Sequence, residues 1–517
     1  VEETTACPVP DLGRPRLLVS DRSADNVALT LTDLHEGTVC DAGPSLIPIA
    51  QDIPAGHKVA LTDIPAGQAI VKYGAVIGYA TTPITMGSHV HIHNVAVRGA
   101  ASPNRGATRR TAVSWTPPVA PTRDHFLGYR RPGGAVATRN YIGILPSVNC
   151  AATVSRMVAR AAEAAHAGTP GLDGVIALGH DLGCGLAEGG RGDAILRRTL
   201  HGYAAHPNLV AVVSVSLGCE VNQPEHFLEG LQRPVEQLTI QELGGSAATV
   251  NEALRRVAVI AEEVAGLRRE PLPLSGLTLG LQCGGSDAYS GLTANPALGV
   301  AADLLVAAGG RAILGETPEI FGAEHLLAAR AAEEGLVDRL DEILEWWKEY
   351  VRANGAELDN NPSRGNRDGG ITTIWEKSLG AVLKGGSSPL RAVVDYAQRV
   401  EAPGLTFMDT PGYDPVSATG MVAGGANLLA FTTGRGSVFG SRPAPCLKVT
   451  TTSRLYRHMV GDMDFDAGAA FTREEQIATG IRLFERLVDL ASGEPSKSEL
   501  FGFGSEEIAP WRIGAVL

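Results

Sequence analysis

The stretch "YIGILPSVNCAATVSRMVARAAEAA", Tyr141–Ala165, decides the fold. Its first eight residues form a near-continuous apolar run of strand length. From Ala151 the apolar residues recur at helical spacing, with Arg156, Arg160 and Glu163 between them. A buried strand feeding a helix is the opening half of a βαβ unit around a parallel sheet. The same texture returns along the chain. "GVIALGH" at Gly174 precedes "GDAILRRTLHGYA", "LVAVVSVSLG" begins at Leu209, and "LTLGLQCGG" at Leu277 leads to "PALGVAADLLVAAG". "RAILGE", "LTFMDT" and "NLLAFTTG" lie after residue 310. The fold class is therefore multi-domain α/β with mainly parallel sheets in a large region.

Upstream the pattern differs. "NVALTLTDL", "KVALTDI" and "AIVKYGAVIGYA" alternate apolar and polar residues and are broken by "PAG" turns at Pro54 and Pro65. Short alternating strands with turn punctuation predict a small β-rich module over residues 15–99. Residues 100–123 are rich in Pro, Arg, Ser and Thr without periodicity and read as a linker. "LRREPLPLSG", Leu267–Gly276, divides the large α/β region into subdomains 124–270 and 271–517.

A chain of 517 residues exceeds one ordinary core, which agrees with several domains. It is 44% hydrophobic and 19% charged, so it is globular rather than disordered. The net charge of −12 argues against a nucleic-acid groove or an anionic membrane surface as partner. An anionic small molecule remains compatible, because a local site can be cationic. No apolar run reaches membrane-spanning length, and "VEETTACPVP" lacks the regions of a signal peptide, so a cytoplasmic location is expected. Seven dispersed cysteines make a disulfide framework improbable.

Four of those cysteines stand at or just past the end of an expected strand: Cys150, Cys184, Cys219 and Cys283. In open α/β sheets the ligand crevice lies outside the carboxyl ends of the strands. If the strands share one sheet, the four thiols converge on one rim and offer thiolates to iron or zinc; singly, each also reads as a small buried hydrophobe. The same turns supply Asn149, His180, Asp181, Glu220, Asn222, Ser286 and Asp287. "QCGGSDAYSG" has the form of an anion-binding turn ahead of a helix. Arg435, in the Gly-rich "TTGRGSVFG", can clamp a carboxylate. No Walker motif is present, and no G-x-G-x-x-G follows a first strand.

"GSHVHIHN", Gly87–Asn94, places His89, His91 and His93 at alternate positions, on one face if the segment is a strand. Neutral imidazole is a common ligand of iron-type ions. His57 and Lys58, in "IPAGHK", set a base beside a cation, and both can face one substrate only from a turn.

Taken together these strings carry a resemblance. "GHKVALTDIPAG", "VKYGAVIGYA" and "GSHVHIHN" resemble the SAF (β-clip) domain of the altronate/galactarate dehydratase family. "TRNYIGILPSVNC", "SLGCEVNQ", "LQCGGSDAYSGLTANPALG", "PEIFGAEHLL", "NPSRGNRDGGITTIWEKSLG", "FTTGRGSVFG" and "DMDFDAG" are similar to its large region. "HVHIHN" looks like the altronate and sulfolactate types rather than the galactarate type. The chain departs from the family pattern at "HDLGCG", "NPSRGN" and "GRGSVFG", in loops that bear on substrate, which leaves the individual sugar acid open.

The resemblance implies dehydration of an altronate-type aldonate to a 2-keto-3-deoxy acid, with Fe²⁺ or a substitute such as Mn²⁺. Galactarate dehydration and sulfolactate carbon–sulfur cleavage are the alternatives. Such chemistry needs a metal to stabilise the enediolate-like intermediate, a base for the α-proton and cations for the carboxylate. His57, Lys58 and His180 are the catalytic candidates, and Asn149, Ser286, Asp287 and Arg435 the substrate-binding ones. His89, His91, His93, Cys150, Cys184, Cys219 and Cys283 are the metal candidates. An iron–sulfur protein built on the four cysteines and a non-catalytic sugar-acid sensor are the rival readings. The expected partner is an anionic sugar acid, and a homodimer is the assembly considered.

Overall fold

The computed structural model describes residues 14–98 and 114–514. The expectations for the first ten residues, and much of the expected linker, fall outside them. The described remainder of the linker lies along the third unit, where Trp115 Nε1 donates to Ser387 Oγ at 3.1 Å and Arg123 pairs with Glu485 and Asp489.

The first unit is built of short antiparallel strands. Leu17–Leu18, Val27–Thr30, Lys58–Ala60 and His89–Val90 form one sheet in that order. Val39–Asp41 and Leu46–Pro48 make a hairpin, and Ala69–Lys72, Ala75–Ala80 and Val95–Ala96 a third sheet. An aspartate at a strand end ties each turn to another: Asp33 accepts from the Ala55 N–H, Asp52 from Glu36 and Asp63 from Met86, all at 2.8–2.9 Å. The glycine four residues on, Gly37, Gly56 or Gly67, takes a positive φ near 80° that other side chains resist.

The second unit carries a four-stranded, wholly parallel sheet. Its order is Gly174–Ala177, Tyr141–Pro146, Leu209–Ser216, Glu236–Thr239. Helices Asn149–His166 and Ser246–Val264 bury one face of it through Ile142, Ile144, Val213 and Val257. Helix Arg191–Ala204 covers the other face and shares an apolar cluster with Trp347, Tyr396 and Met421 of the third unit. The two units thus share a core.

The third unit holds a seven-stranded parallel sheet: Leu390–Val394, Gly404–Met408, Arg311–Leu314, Thr278–Cys283, Leu428–Thr433, Cys446–Thr450, Phe465–Asp466. Its central strands are buried along their whole length, which is why they read as apolar runs.

The expected division at residue 270/271 falls within the strand Glu270–Pro273, which pairs antiparallel with His125–Arg130. Its two prolines, Pro271 and Pro273, are tolerated because it is an edge strand of that small sheet. One expectation needs correction: the four strand-end cysteines do not share a sheet. Cys150, Cys184 and Cys219 follow strands of the four-stranded sheet, while Cys283 ends a strand of the seven-stranded one.

Candidate active site

The first and third units meet around the histidines. The strand at His89 lasts only two residues; the chain then turns through His91–Asn94, with the Asn94 N–H returning to the His91 carbonyl at 2.9 Å. The alternate-face expectation therefore fails. His89 and His91 converge because the backbone turns, and His93 lies exposed at 5.2 Å centroid distance from His89. His57 joins them from the neighbouring turn. Lys58 pairs with Val90 across the antiparallel strands, so the register brings His57 opposite His91.

One ring nitrogen each of His57, His89 and His91 lies within 4.8 Å of the others. His57 Nδ1 and His89 Nε2 are 2.9 Å apart. That separation suits adjacent ligands of one ion with metal–nitrogen bonds of about 2.1 Å. The outer nitrogens are held by backbone: His91 Nε2–H donates to the Arg367 carbonyl at 2.9 Å, and His57 Nε2 faces that of Asp368 at 3.4 Å. Burial pulls all three pKa values down, with help from the Lys58 ammonium and, for His89 and His91, from neighbouring imidazoles; His89 falls to about 3 and His91 to about 4. The rings are neutral at physiological pH, the form that binds a metal.

The carbonyls that orient them lie at the end of the short helix Arg364–Asp368, within the segment Asn361–Gly370. The same segment turns Asn361, Ser363 and Asn366 into a cavity of about 480 Å³, whose wall also includes Cys283, Glu319, Lys377 and Asp414. Asn366 Nδ2 donates to the Ser286 carbonyl at 2.9 Å, fixing this segment against the strand end. One side of this wall is a buried charge cluster. Lys384 Nζ lies 2.8 Å from Cys283 Sγ and 2.9 Å from Glu316, and Lys377 Nζ lies 2.6 Å from Glu319. Cys283, Glu316 and Glu319 also stand close enough for a metal, yet two ammonium groups already supply the positive charge there. Glu316 adopts φ +67° and leaves Oε1 without a partner, strain of about 1–3 kcal/mol that the packing must hold. Burial raises Glu316 to about 7; burial, and then Glu319, raises Asp414 to about 6.

Sequence comparisons agree with this architecture. Residues 17–98 match the altronate/galactarate dehydratase SAF domain and residues 128–265 the D-galactarate dehydratase/altronate hydrolase second domain. Residues 274–516 match the D-galactarate/altronate dehydratase C-terminal domain. The chain is 35% identical to altronate dehydratase of Escherichia coli K12, over 95% of this chain and 98% of that one. It is 38% identical to galactarate dehydratase (L-threo-forming) of the same organism, over 91% and 92%. The chain belongs to the D-galactarate/altronate dehydratase family. It is an enzyme of the hydro-lyase class. A further relative, (2R)-sulfolactate sulfo-lyase subunit beta of Chromohalobacter salexigens, is 32% identical over 73% of this chain and 95% of its own length.

Within this dehydratase the other expected site residues scatter. Lys58 is fully buried and grips Glu376 at 2.9 Å and the Gly370 carbonyl at 2.6 Å, so it fastens two units together and does not face the cavity. His180 has both ring nitrogens committed: Nδ1 accepts from the Leu182 N–H and Nε2–H donates to the Pro146 carbonyl, which pins a loop of the second unit. Asn149 is exposed on that unit and donates to the His180 carbonyl. Asp287 is buried near the cavity, hydrogen-bonded to Ser290 and Thr451. Arg435 is exposed, its N–H on the Gly285 carbonyl. Glu316, Glu319, Lys377, Lys384 and Asp414 were not anticipated. A usable signal existed in "IWEKSLGAVLKGG", where Glu376, Lys377 and Lys384 interrupt an otherwise uncharged segment.

Proposed function

We propose that this enzyme dehydrates an altronate-type aldonate to a 2-keto-3-deoxy acid, using a divalent ion held by His57, His89 and His91. The observation that carries the reading is the segment Asn361–Gly370, with its short helix Arg364–Asp368, which orients two of the imidazoles and lines the polar cavity. Metal site and substrate cavity are therefore adjacent parts of one construction. Iron(II) suits an all-imidazole set and Mn²⁺ is the proposed substitute. When bound, the ion would supply Lewis-acid stabilisation of the enediolate-like charge and of the departing hydroxide.

The chain's own residues account for the remaining tasks. Lys377 is the one cation among the described residues lining the cavity, and it would take the substrate carboxylate. Asn361, Ser363 and Asn366 offer amide and hydroxyl partners for the sugar hydroxyls. Asp414, raised toward neutrality, would accept the α-proton. A single lining cation facing Glu319, Glu357 and Asp414 favours one carboxylate over two, and so an aldonate over an aldarate.

An assay of 2-keto acid formation from aldonates, aldarates and sulfolactate, with and without Fe²⁺, tests the proposal. Preference for galactarate or for sulfolactate would replace the aldonate reading. Among the described residues no helix is long and apolar enough to cross a membrane. A cytoplasmic location and a homodimer belong to the proposal, to be tested by fractionation and light scattering.

A further inference from the structure

Cysteine is a small hydrophobe that proteins usually bury. Cys40, Cys283 and Cys446 follow that rule, whereas Cys150, Cys184 and Cys219 are all exposed. The three exceptions follow three adjacent strands of the four-stranded sheet, all at its carboxyl rim. Hydrogen bonds lace their loops together. The Asn149 N–H donates to the Leu182 carbonyl at 2.8 Å, beside Cys150 and two residues from Cys184. The Asn222 N–H reaches the Gly183 carbonyl at 3.1 Å and its side chain the Ser147 carbonyl at 2.9 Å, drawing in the loop that carries Cys219.

The surroundings of these thiols are suited to an anionic, sulfur-ligated group. Gln241, past the fourth strand, donates its amide to Cys219 Sγ at 3.4 Å. Cys150 lies in the first turn of the 18-residue helix Asn149–His166, at the end that carries the positive pole of the helix dipole. The spacing of the thiols selects the kind of group. A single tetrahedral ion with metal–sulfur bonds of about 2.3 Å needs sulfurs within roughly 4 Å of one another. Among the described residues these three do not form such a set. A polynuclear centre, in which each thiolate binds a different iron, asks for a wider triangle.

We propose that Cys150, Cys184 and Cys219 are the protein ligands of an iron–sulfur cluster on the carboxyl rim of the second unit. Ligation replaces three S–H bonds by three Fe–S bonds, the protons leave to solvent, and no electrons change hands. No fourth described cysteine shares the rim, so a four-iron cluster would keep one iron without a thiolate. That iron would accept a hydroxyl or carboxylate oxygen, a role that rests on the hydro-lyase reading. Gly434 and Arg435, at the start of the loop that carries Phe439, bond to Gly285 of the cavity wall, and Phe439 belongs to the apolar cluster that includes Leu182 and Leu186.

The test is compositional and separate from turnover. Full-length protein, purified anaerobically or reconstituted with ferrous and ferric iron and sulfide, is analysed for iron, acid-labile sulfide and visible absorbance. Acid-labile sulfide is expected with an equal amount of iron beyond the one ion assigned to the histidines; sulfide and its matching iron should be lost in C150S, C184S and C219S and kept in C446S. Alkylation read by mass spectrometry guards against misfolded variants. In the wild type the three thiols should resist iodoacetamide until the cluster is stripped, then react. Iron without sulfide, or three thiols that alkylate freely beforehand, would overturn the proposal. A cluster-bearing protein that dehydrates nothing would leave the cluster standing and remove only the hydro-lyase reading.

Discussion

Lys58 of the first unit and Glu376 of the third meet at 2.9 Å with almost no solvent access, 318 residues apart in the chain. Lys72 joins the same carboxylate at 2.9 Å, and Thr372 adds its N–H and hydroxyl. The two ammonium groups hold Glu376 far below the ordinary carboxylate range despite its burial. This network holds the histidine turns against the segment that orients them.

Glu376→Gln therefore removes the charge that two buried lysines share. Breaking one partner of a buried ion pair costs about 3–5 kcal/mol. The urea midpoint should fall accordingly, and metal affinity should weaken because His57 and His91 lose their registration. A variant within about 1 kcal/mol of wild type, the worth of a surface pair, would show the network to be ornamental.

The histidines should divide by position. His57→Ala and His91→Ala are expected to lose bound Fe²⁺, since each removes a nitrogen of the close set. His93→Ala should retain it, being exposed and outside that set. EDTA should abolish turnover and Fe²⁺ or Mn²⁺ restore it. Equal iron content in all three variants would move the metal elsewhere.

Much of this was legible in the sequence, and the exceptions have physical causes. Strands such as Thr278–Cys283 announce themselves because burial on both faces demands unbroken apolar runs. The histidines were visible, but period two alone implied a strand; the Asn94 turn that gathers them is a hydrogen-bond pattern, not a periodicity. Whether Cys283 shares a sheet with Cys150 depends on strand order, which local sequence does not encode. Lys58 looked catalytic because it stands beside His57, while its partner is encoded far downstream. Glu316 and Glu319 fall in short helical turns where no heptad or alternation marks a buried charge.

Asp287 offers a pH test. It is fully buried, and desolvation raises it from 3.8 to about 6 in spite of the Thr451 and Ser290 hydrogen bonds. Well below its ordinary value it is protonated in both folded and unfolded chains. As pH rises the unfolded chain releases its proton first, so the folded state loses stability until the pH passes about 6. The loss is on the order of 2–3 kcal/mol. Asp287→Asn lacks this term, so its stability relative to wild type should climb across the window from 3.8 to about 6 and then level. Parallel stability curves across that window would remove the argument.

Lys377 gives the sharpest test of the substrate reading. Its ammonium lines the cavity, is held at 2.6 Å by Glu319 and 2.8 Å by Asn361, and is kept charged against burial by Glu319. A charged hydrogen bond to substrate is worth about 1.5–3 kcal/mol. Lys377→Met should therefore lower kcat/KM by roughly 10- to 100-fold. KM should carry most of the change if the ammonium grips the carboxylate equally in ground and transition states. Lys377→Arg keeps the charge and should recover part of the loss, with an altered ranking of aldonate against aldarate. Removing the cation also leaves Asp414, the proposed base, less stabilised as an anion, so the acid limb of the pH–rate profile should move upward in the Met variant only. Unchanged KM in both variants, with iron content intact, would place the carboxylate outside this cavity.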